Sequence, residues 1–311
     1  MLCSNAMEID CQQLNENDEK SPILPPDDFA CLQRGENSRI KYKMIEEARE
    51  AYKFGMKKSA SKRNHRKYLF GSRYREFFEG YVKFVDVRQF AGSVDLKIKL
   101  HNGEETVLKV RDLSVETEMM EVVKQFSETS NKKSVARCHS GDAGKMFAFG
   151  FNSRKLGDYV SMDDEVMDIE RYSKIVRQGL EKYFKAEIDE IIAADRNQGI
   201  VPSKAMGGPK GISAYALVSM DLVNSAHYDL DTSVGLSIFN EKIPGKATNW
   251  NFVLPNTTMI NGNANQAIAI KLFDGCTIAW DGRKVFHCTS AKNIGEGNHV
   301  YGNYWGGKKY R

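Results

Sequence analysis

The sequence lacks any run of apolar residues that approaches the roughly 20 needed for a membrane-spanning helix. Its six cysteines include no CxxC pair, so neither a zinc knuckle nor a disulfide framework is indicated, and reduced thiols are expected. The segment Met1–Asp10 lacks the basic start and apolar stretch of a secretory signal. Net charge is only +4, too small a sum to indicate nucleic acid by itself. These absences predict a cytoplasmic or nuclear protein with no membrane partner.

The chain does contain enough apolar residues for a sizeable core, because 41% of its 311 residues are hydrophobic. Three regions differ in composition. Residues 1–37 are polar and acid-rich with a Pro-rich break, which predicts a leader without regular structure. Residues 38–197 carry helical and strand patterns and are predicted to form a support region. Residues 198–311 hold short apolar runs between turn residues and are predicted to form the core domain.

The support region is predicted to contain helices and one β-hairpin. Apolar residues recur at helical spacing in Ser38–Met56, in Val115–Phe126 and in Met162–Ala194, which predicts amphipathic helices. Between the first two of these, Val94–Val110 alternates apolar and polar residues on either side of Asn102-Gly103. Asn-Gly between alternating runs predicts a hairpin, because both central residues of a type I′ turn need positive φ.

A basic segment with interleaved aromatic residues lies between Lys57 and Lys83. It contains KKSASKRNHRK, followed by Arg73 and Arg75, with tyrosine and phenylalanine residues between the charges. Such a segment can bind the phosphate backbone of DNA or RNA, or can act as a nuclear localisation signal. A solvated helix face is the alternative that the composition leaves open. Nucleic acid therefore stands as a candidate partner.

The core domain has the pattern of a series of short strands. Gly- and Pro-rich residues after Asn197 are followed by apolar runs that are separated by turn residues. Several short strands at close spacing indicate a sandwich or barrel, and no internal repeat is evident. The apolar runs are AYALVSMDLV, VGLSIFN, NWNFVLP, QAIAIKL, CTIAW and HVYGNYW.

Three residues of the core domain are candidate metal ligands. His227 and Asp229 are two positions apart, and in a strand such residues point to the same face, so a nitrogen and a carboxylate can reach one metal. His287, far downstream, supplies a third ligand. Two histidines and one carboxylate leave coordination positions open, as non-haem Fe(II) needs for O2 and a co-substrate. Zinc accepts the same ligand types, but a hydrolytic zinc site also needs a general base, and none is evident.

These residues carry a resemblance to the iron- and 2-oxoglutarate-dependent dioxygenase superfamily. From Ile212 to Trp305 the order of motifs is similar: His227-Tyr228-Asp229, then Phe273-Asp274-Gly275 and Trp280-Asp281-Gly282-Arg283, then His287. The resemblance implies an α+β fold with a double-stranded β-helix (jelly-roll) core, flanked by N-terminal helices and the hairpin. It also implies that His227, Asp229 and His287 bind Fe(II) and are catalytic, and that O2 is a reactant.

The co-substrate site departs from the family pattern. The superfamily usually places Arg or Lys after the distal histidine, where a charge-assisted contact fixes the far carboxylate of 2-oxoglutarate. Here His299 stands at that place, and Lys271, Arg283 or Lys292 are alternative cofactor-binding cations. The resemblance makes 2-oxoglutarate the expected co-substrate, with ascorbate as a second candidate electron donor. Further candidate pocket residues are Asn224, Tyr228, Trp250 and Asn251, whereas Cys288 is expected to turn away from the metal.

Two classes of function follow from these observations. One is a non-haem Fe(II)-dependent oxygenase that performs 2-oxoglutarate-dependent hydroxylation or oxidation, with a nucleic-acid base as a candidate substrate that must be flipped into the pocket. The other is a non-catalytic double-stranded β-helix that serves as a binding module, or as an interaction module through the helix Met162–Ala194. Turnover with Fe(II), O2 and a 2-oxo acid distinguishes the enzyme from the module.

Overall fold

The computed structural model describes residues 7–10, 32–33, 82–99, 105–132, 143–151, 159–160, 169–200, 202, 208–223, 225–226, 228–229, 231–247, 250–260, 264–285, 287–291 and 297–308. This part of the chain is mainly β-sheet with two α-helices, α1 (Thr117–Lys132) and α2 (Ile169–Asn197). None of its helices is long and apolar enough to span a membrane. The strands are β1 Met7–Asp10, β2 Leu32–Gln33, β3 Val82–Val85, β4 Ser93–Lys99, β5 Glu105–Asp112, β6 Ala143–Phe151, β7 Tyr159–Val160, β8 Tyr215–Val223, β9 Ser225–Ala226, β10 Asp231–Glu241, β11 Trp250–Ile260, β12 Ala264–Lys271, β13 Cys276–Trp280, β14 Cys288–Ala291 and β15 Val300–Lys308.

Most of these strands belong to two sheets that share an apolar core. The larger sheet has the strand order β1-β4-β5-β13-β10-β15-β8-β6-β7, and its neighbours are antiparallel except for β1 and β4. The smaller sheet has the order β14-β11-β12-β3, in which β12 and β3 are parallel. A short parallel pair joins β2 to β9.

The central strands of the larger sheet are buried along most of their length because both of their faces are covered. Every residue of β13 is buried, and β10 is buried without interruption from Gly235 to Glu241. The helices α1 and α2 cover one face of this sheet, and the smaller sheet covers the other. A sheet with one solvated face has alternating polar residues instead, so the continuous apolar runs fit this layered arrangement.

Two apolar cores result from this layering. In the core between the helices and the larger sheet, the rings of Phe126 and Tyr172 stack with their centroids 4.2 Å apart. In the core between the two sheets, the rings of Phe252 and Trp280 lie 4.9 Å apart. Burial of each large apolar side chain stabilises the fold by about 1.5–3 kcal/mol. The largest fully buried side chains of the two cores are Leu113, Leu180, Phe184, Ile188, Ile191 and Leu236 in the first and Leu96, Ile98, Leu108 and Phe252 in the second.

Several predicted elements are confirmed. The hairpin is present as the antiparallel pair β4 and β5. Helix α1 begins at Thr117 rather than Val115 and extends to Lys132, and α2 ends at Asn197 rather than Ala194. Each of the apolar runs in the core domain coincides with a strand, namely β8, β10, β11, β12, β13 or β15.

Other predictions differ from the structure or lie outside it. Residues 38–81, with the first predicted helix and most of the basic segment, lie outside the described residues. Two short pieces of the predicted leader form the strands β1 and β2, against the expectation of no regular structure. The strands β3 and β6 were not predicted. Because β5 and β6 join the same sheet as the core-domain strands, that sheet includes both regions, and the division at residue 197 stays a prediction.

The C-terminal end of α2 is fixed to the larger sheet by a buried carboxylate. Asp195 is 1% exposed, and its Oδ2 accepts a hydrogen bond of 2.7 Å from the backbone N–H of Ala214, just before β8. Burial raises the pKa of the Asp195 carboxyl to about 6, although hydrogen bonds from Ala214 and Ser213 act in the opposite direction. The folded protein therefore binds this proton more tightly than the unfolded chain does, and the stability that this group contributes is lost as the pH rises through about 6.

Asp195→Asn removes this ionisation and keeps an oxygen acceptor for the N–H of Ala214. The ordinary pKa is 3.8 and the folded value is about 6. The free energy of unfolding of the variant, minus that of the parent protein, should therefore increase by on the order of 2 kcal/mol from about pH 4 to about pH 8. Urea unfolding at the two pH values measures this gain. Asp189→Asn, at an exposed carboxylate of the same helix, is the control. If Asp195→Asn altered the free energy of unfolding equally at both pH values, the raised pKa of Asp195 would be contradicted.

Candidate metal centre

Asp229 and His287 lie side by side although the chain separates them widely. Asp229 lies between β9 and β10, and His287 immediately precedes β14. Nε2 of His287 is 3.5 Å from Oδ2 of Asp229, and the two side chains are 5% and 15% exposed. A nitrogen and a carboxylate oxygen at this separation can contact one metal ion, because such bonds measure about 2.0–2.2 Å each. Two of the three predicted ligands are therefore together.

The imidazole of His287 is held in one orientation. Its Nδ1 lies 2.9 Å from the backbone oxygen of Val285, so a proton on Nδ1 is donated to that carbonyl and Nε2 is directed towards Asp229. The ring stacks on Phe252 with centroids 5.3 Å apart, and Trp280 meets it edge-on at the same centroid distance. Proteins commonly orient a metal-binding histidine in this way, with the second ring nitrogen donating to a carbonyl.

Asp229 is positioned by the turn that follows β13. Its backbone N–H donates to the carbonyl of Gly282 at 2.8 Å. A Cβ atom built on Gly282 would lie 2.8 Å from both Cβ and Cγ of Asp229, which is closer than real Cβ contacts allow. Glycine is therefore needed at this position for the turn to approach the carboxylate.

Arg283 connects this turn to β10 by a hydrogen bond and to α2 by an ion pair. Its Nε and Nη2 donate to the two carboxylate oxygens of Asp281 at 2.7 and 2.9 Å, and its Nη1 donates to the carbonyl of Thr232 at 2.9 Å. Its Nη2 also lies 3.5 Å from Oε1 of Glu190, which accepts the N–H of Val234 at 3.0 Å. The hydrogen bond to Asp281 raises the pKa of Arg283. Its predicted contact with a co-substrate stays a prediction.

The other predicted co-substrate cations that the structure describes also have carboxylate partners. Nζ of Lys271, at the end of β12, lies 4.0 Å from Oδ2 of Asp86. Nδ1 of His299, just before β15, lies 2.8 Å from Oδ2 of Asp221. The other oxygen of Asp221 accepts the N–H of Val300 at 3.0 Å. Each side chain is thus engaged with a carboxylate of its own surroundings, and the assignment of either one to a co-substrate stays a prediction.

The third predicted ligand, His227, lies outside the described residues, as does Asn224. Within the described ranges, no group of three or more His, Cys, Asp or Glu side chains could hold a metal. The pair of Asp229 and His287 fits a metal by its donor types and its spacing, and His227, two positions from Asp229, remains the predicted third donor. Of the other predicted pocket residues, Trp250 and Asn251 are buried and Tyr228 is half-buried.

Sequence reasoning missed Tyr304 and Asp231, which lie beside the pair. The hydroxyl of Tyr304 donates to Oδ2 of Asp231, and the Tyr304 ring lies 5.5 Å from that of Trp280. Burial and the Asp231 carboxylate raise the pKa of Tyr304 well above its usual value. The phenol fits here because Gly235 on the neighbouring strand β10 and Gly306 on its own strand β15 have no side chains to collide with it. Glycines inside two apolar strands were the available signal, since such glycines often mark a close approach.

Comparisons with known proteins give weak structural likenesses. No protein-family model and no curated protein matches the sequence. NgTET1 in complex with 5mC DNA is 9% identical with a TM-score of 0.44, over 86% of this chain and 91% of that one. A Pseudomonas putida prolyl-4-hydroxylase is 7% identical with a TM-score of 0.36, over 65% of this chain and 92% of that one. A Burkholderia pseudomallei oxidoreductase of the 2OG-Fe(II) oxygenase family is 8% identical with a TM-score of 0.29, over 72% and 81%. Because these values are low, the function proposed below is derived from this chain's own residues.

Gly282→Ala should displace the Asp229 carboxylate, because the added methyl group meets its Cβ and Cγ at 2.8 Å. We expect Fe(II) affinity to fall by about 10- to 100-fold while the circular dichroism spectrum stays that of the parent protein. Gly245→Ala is the control: its φ of +75° adds strain, but nothing lies within 4 Å of its new methyl group, so metal affinity should not change. Parent-like Fe(II) affinity in Gly282→Ala would contradict the steric role of this glycine.

Proposed function

We propose that this protein is a non-haem Fe(II)-dependent oxygenase that uses a 2-oxo acid, with 2-oxoglutarate as the expected co-substrate. The observation that carries the proposal is the 3.5 Å separation between Nε2 of His287 and Oδ2 of Asp229, with the imidazole fixed through Nδ1. His227 completes a set of two histidines and one carboxylate. Such a set leaves positions open for O2 and a co-substrate. When bound there, iron supplies the activation of O2, which side chains alone do not perform.

The strand order supports a double-stranded β-helix as the core. From β8 onward the chain passes repeatedly between the two sheets, with β8, β10, β13 and β15 in the larger sheet and β11, β12 and β14 in the smaller one. The larger-sheet strands form the antiparallel order β13-β10-β15-β8, as expected for a jelly roll. Asp229 lies in the connection from β9 to β10, and His287 lies directly before β14, where the chain passes from the larger sheet to the smaller one.

The chain's own residues prepare the centre for this chemistry. The Val285 carbonyl holds a proton on Nδ1 of His287, which leaves Nε2 as the metal-binding nitrogen. The rings of Phe252 and Trp280 enclose the imidazole and limit the access of water. The largely buried carboxylate of Asp229 supplies the negative charge that a divalent cation requires. The hydrogen bond from Asp229 to Gly282 fixes this charge in place before any ligand arrives.

A nucleic-acid base is the proposed substrate class, and the support for it is the basic, aromatic-rich segment from Lys57 to Lys83. Arginine and lysine neutralise phosphates, and aromatic rings stack on exposed bases. A base must leave the duplex to reach a buried centre, so the protein has to hold the surrounding strand while the base is extruded. A core that binds metal and nucleic acid without consuming O2 is instead a binding module.

Removal of the ligand carboxylate tests the metal assignment. Asp229→Ala should lower Fe(II) affinity by at least about 100-fold and abolish oxygen uptake in the presence of 2-oxoglutarate, because it removes one of three ligands. Anaerobic Fe(II) titration and an oxygen electrode provide the two measurements. Asp189→Ala, at an exposed carboxylate of α2, is the matched control and should leave both unchanged. Full Fe(II) affinity in Asp229→Ala would refute the centre, and parent protein that binds Fe(II) without oxygen uptake would identify a binding module.

The salt dependence of binding tests the substrate class. The logarithm of the binding constant for a single-stranded DNA oligonucleotide should fall with the logarithm of salt concentration, with a slope of about −0.7 for each phosphate that is neutralised. Substitution of Arg63, Arg66, Arg73 and Arg75 by Gln should make that slope less negative by about 2 to 3. Fluorescence anisotropy measures both slopes, and Lys185→Gln, at an exposed position of α2, is the control. An unchanged slope in the fourfold variant would exclude the basic segment as the strand-binding surface.

A further inference from the structure

Trp280 places a buried hydrogen-bond donor beside the candidate metal centre. It is the last residue of β13 and is 5% exposed. Its indole N–H has no hydrogen-bond partner among the described residues. The indole ring lies 5.3 Å from that of His287 and 5.5 Å from that of Tyr304, measured between centroids. An indole nitrogen can only donate, so this N–H needs an acceptor.

The neighbouring side chains do not supply this acceptor. Phe252, whose ring lies 4.9 Å from that of Trp280, has no polar atom. His287 directs Nδ1 to the Val285 carbonyl and Nε2 towards Asp229. The hydroxyl of Tyr304 is directed to Asp231. A buried donor without an acceptor costs about 1–3 kcal/mol, which is a reason to expect that a bound molecule provides the acceptor when the site is in use.

The charges of the described residues indicate what kind of contact that molecule makes. The three described side chains that the sequence offers for a co-substrate carboxylate are Lys271, Arg283 and His299, and each lies near a carboxylate: Asp86 at 4.0 Å, Asp281 at 2.7 Å and Asp221 at 2.8 Å respectively. Trp280, in contrast, is neutral, buried and in ring contact with the metal-binding histidine. Among these four side chains, Trp280 is the one that the structure places against that histidine.

We infer that the indole N–H of Trp280 donates a hydrogen bond to a carboxylate oxygen of the 2-oxo acid co-substrate. This inference rests on the proposed function, because it requires a 2-oxo acid at the centre formed by Asp229 and His287. The hydrogen bond is charge-assisted, since a neutral donor meets an anionic oxygen. It fixes the orientation of the acid relative to His287 and leaves the three cations in their ion pairs.

Indole NMR observes this hydrogen bond directly. The protein contains three tryptophans, so a sample with 15N-labelled indole nitrogens gives few cross-peaks, and Trp280→Phe identifies that of Trp280. With Zn(II) as a diamagnetic substitute for Fe(II), addition of 2-oxoglutarate should shift the Trp280 N–H proton downfield and leave that of Trp305 in place. A Trp280 cross-peak that does not move while 2-oxoglutarate binds would overturn the inference.

A binding measurement tests the energetic consequence. Trp280→Phe keeps an aromatic ring next to His287 and removes the N–H. Anaerobic titration of the Fe(II) protein with 2-oxoglutarate, followed by its visible charge-transfer band, should show affinity at least about tenfold weaker than that of the parent protein. Trp305→Phe is the matched control, because Trp305 is buried in the other core, between the helices and the larger sheet, and the affinity of this variant should be that of the parent protein.

The outcomes separate this inference from the function on which it rests. Parent-like 2-oxoglutarate affinity in Trp280→Phe, with Fe(II) affinity retained, refutes the role of Trp280 and leaves the oxygenase proposal intact. Parent protein that binds Fe(II) and shows no charge-transfer band with 2-oxoglutarate refutes both the co-substrate and the inference. Equal weakening in Trp280→Phe and Trp305→Phe shows a loss of core packing and also counts against the hydrogen bond.

Discussion

The carboxylate of Asp229 and the imidazole of His287 meet because two connections, from β9 to β10 and from β13 to β14, approach each other at Gly282. The backbone hydrogen bond from Asp229 to the Gly282 carbonyl sets their spacing, and the lack of a side chain at Gly282 permits it. Both residues lie in connections outside the strands, so contacts between these connections fix their positions. The ion pairs of Arg283 with Asp281 and Glu190 connect the same turn to α2, so the helix layer contributes to the geometry of the centre.

The layered fold explains why this centre is shielded from water. The larger sheet is buried by helices on one face and by the smaller sheet on the other, and the inter-sheet core reaches His287 through Phe252 and Trp280. The polar groups in and beside this core differ in whether they have hydrogen-bond partners. Tyr304 donates to Asp231, whereas the N–H of Trp280 has no partner in the described part of the chain. That difference distinguishes a structural hydrogen bond from a donor available to a ligand.

Periodicity in the sequence predicted the hairpin, the two described helices and the main strands, because each pattern depends on local backbone geometry and on which face is buried. The proximity of Asp229 and His287 was predictable from the order of motifs alone, because strand alternation relates His227 to Asp229, and Asp229 lies between β9 and β10 rather than in a strand. The contacts that the candidate co-substrate residues make with carboxylates were not predictable. Lys271, Arg283 and His299 were selected by charge and by position along the chain, but Asp86, Glu190 and Asp221 reach them only through the tertiary fold. Tyr304 escaped prediction for the same reason, because Gly235 and Gly306 make room for it from two different strands.

These ion pairs bear on how an anionic co-substrate is held at the proposed centre. A carboxylate that leaves water needs compensation by an opposite charge or by hydrogen bonds. In the described part of the chain the candidate cations are each paired with a carboxylate, and the donor beside His287 is the neutral indole of Trp280. At the proposed centre the charge of a 2-oxo acid would be balanced by the divalent metal, while the indole would fix its direction. The proposal therefore makes affinity for a 2-oxo acid depend on occupancy of the metal site more tightly than in a site where an arginine binds the acid directly.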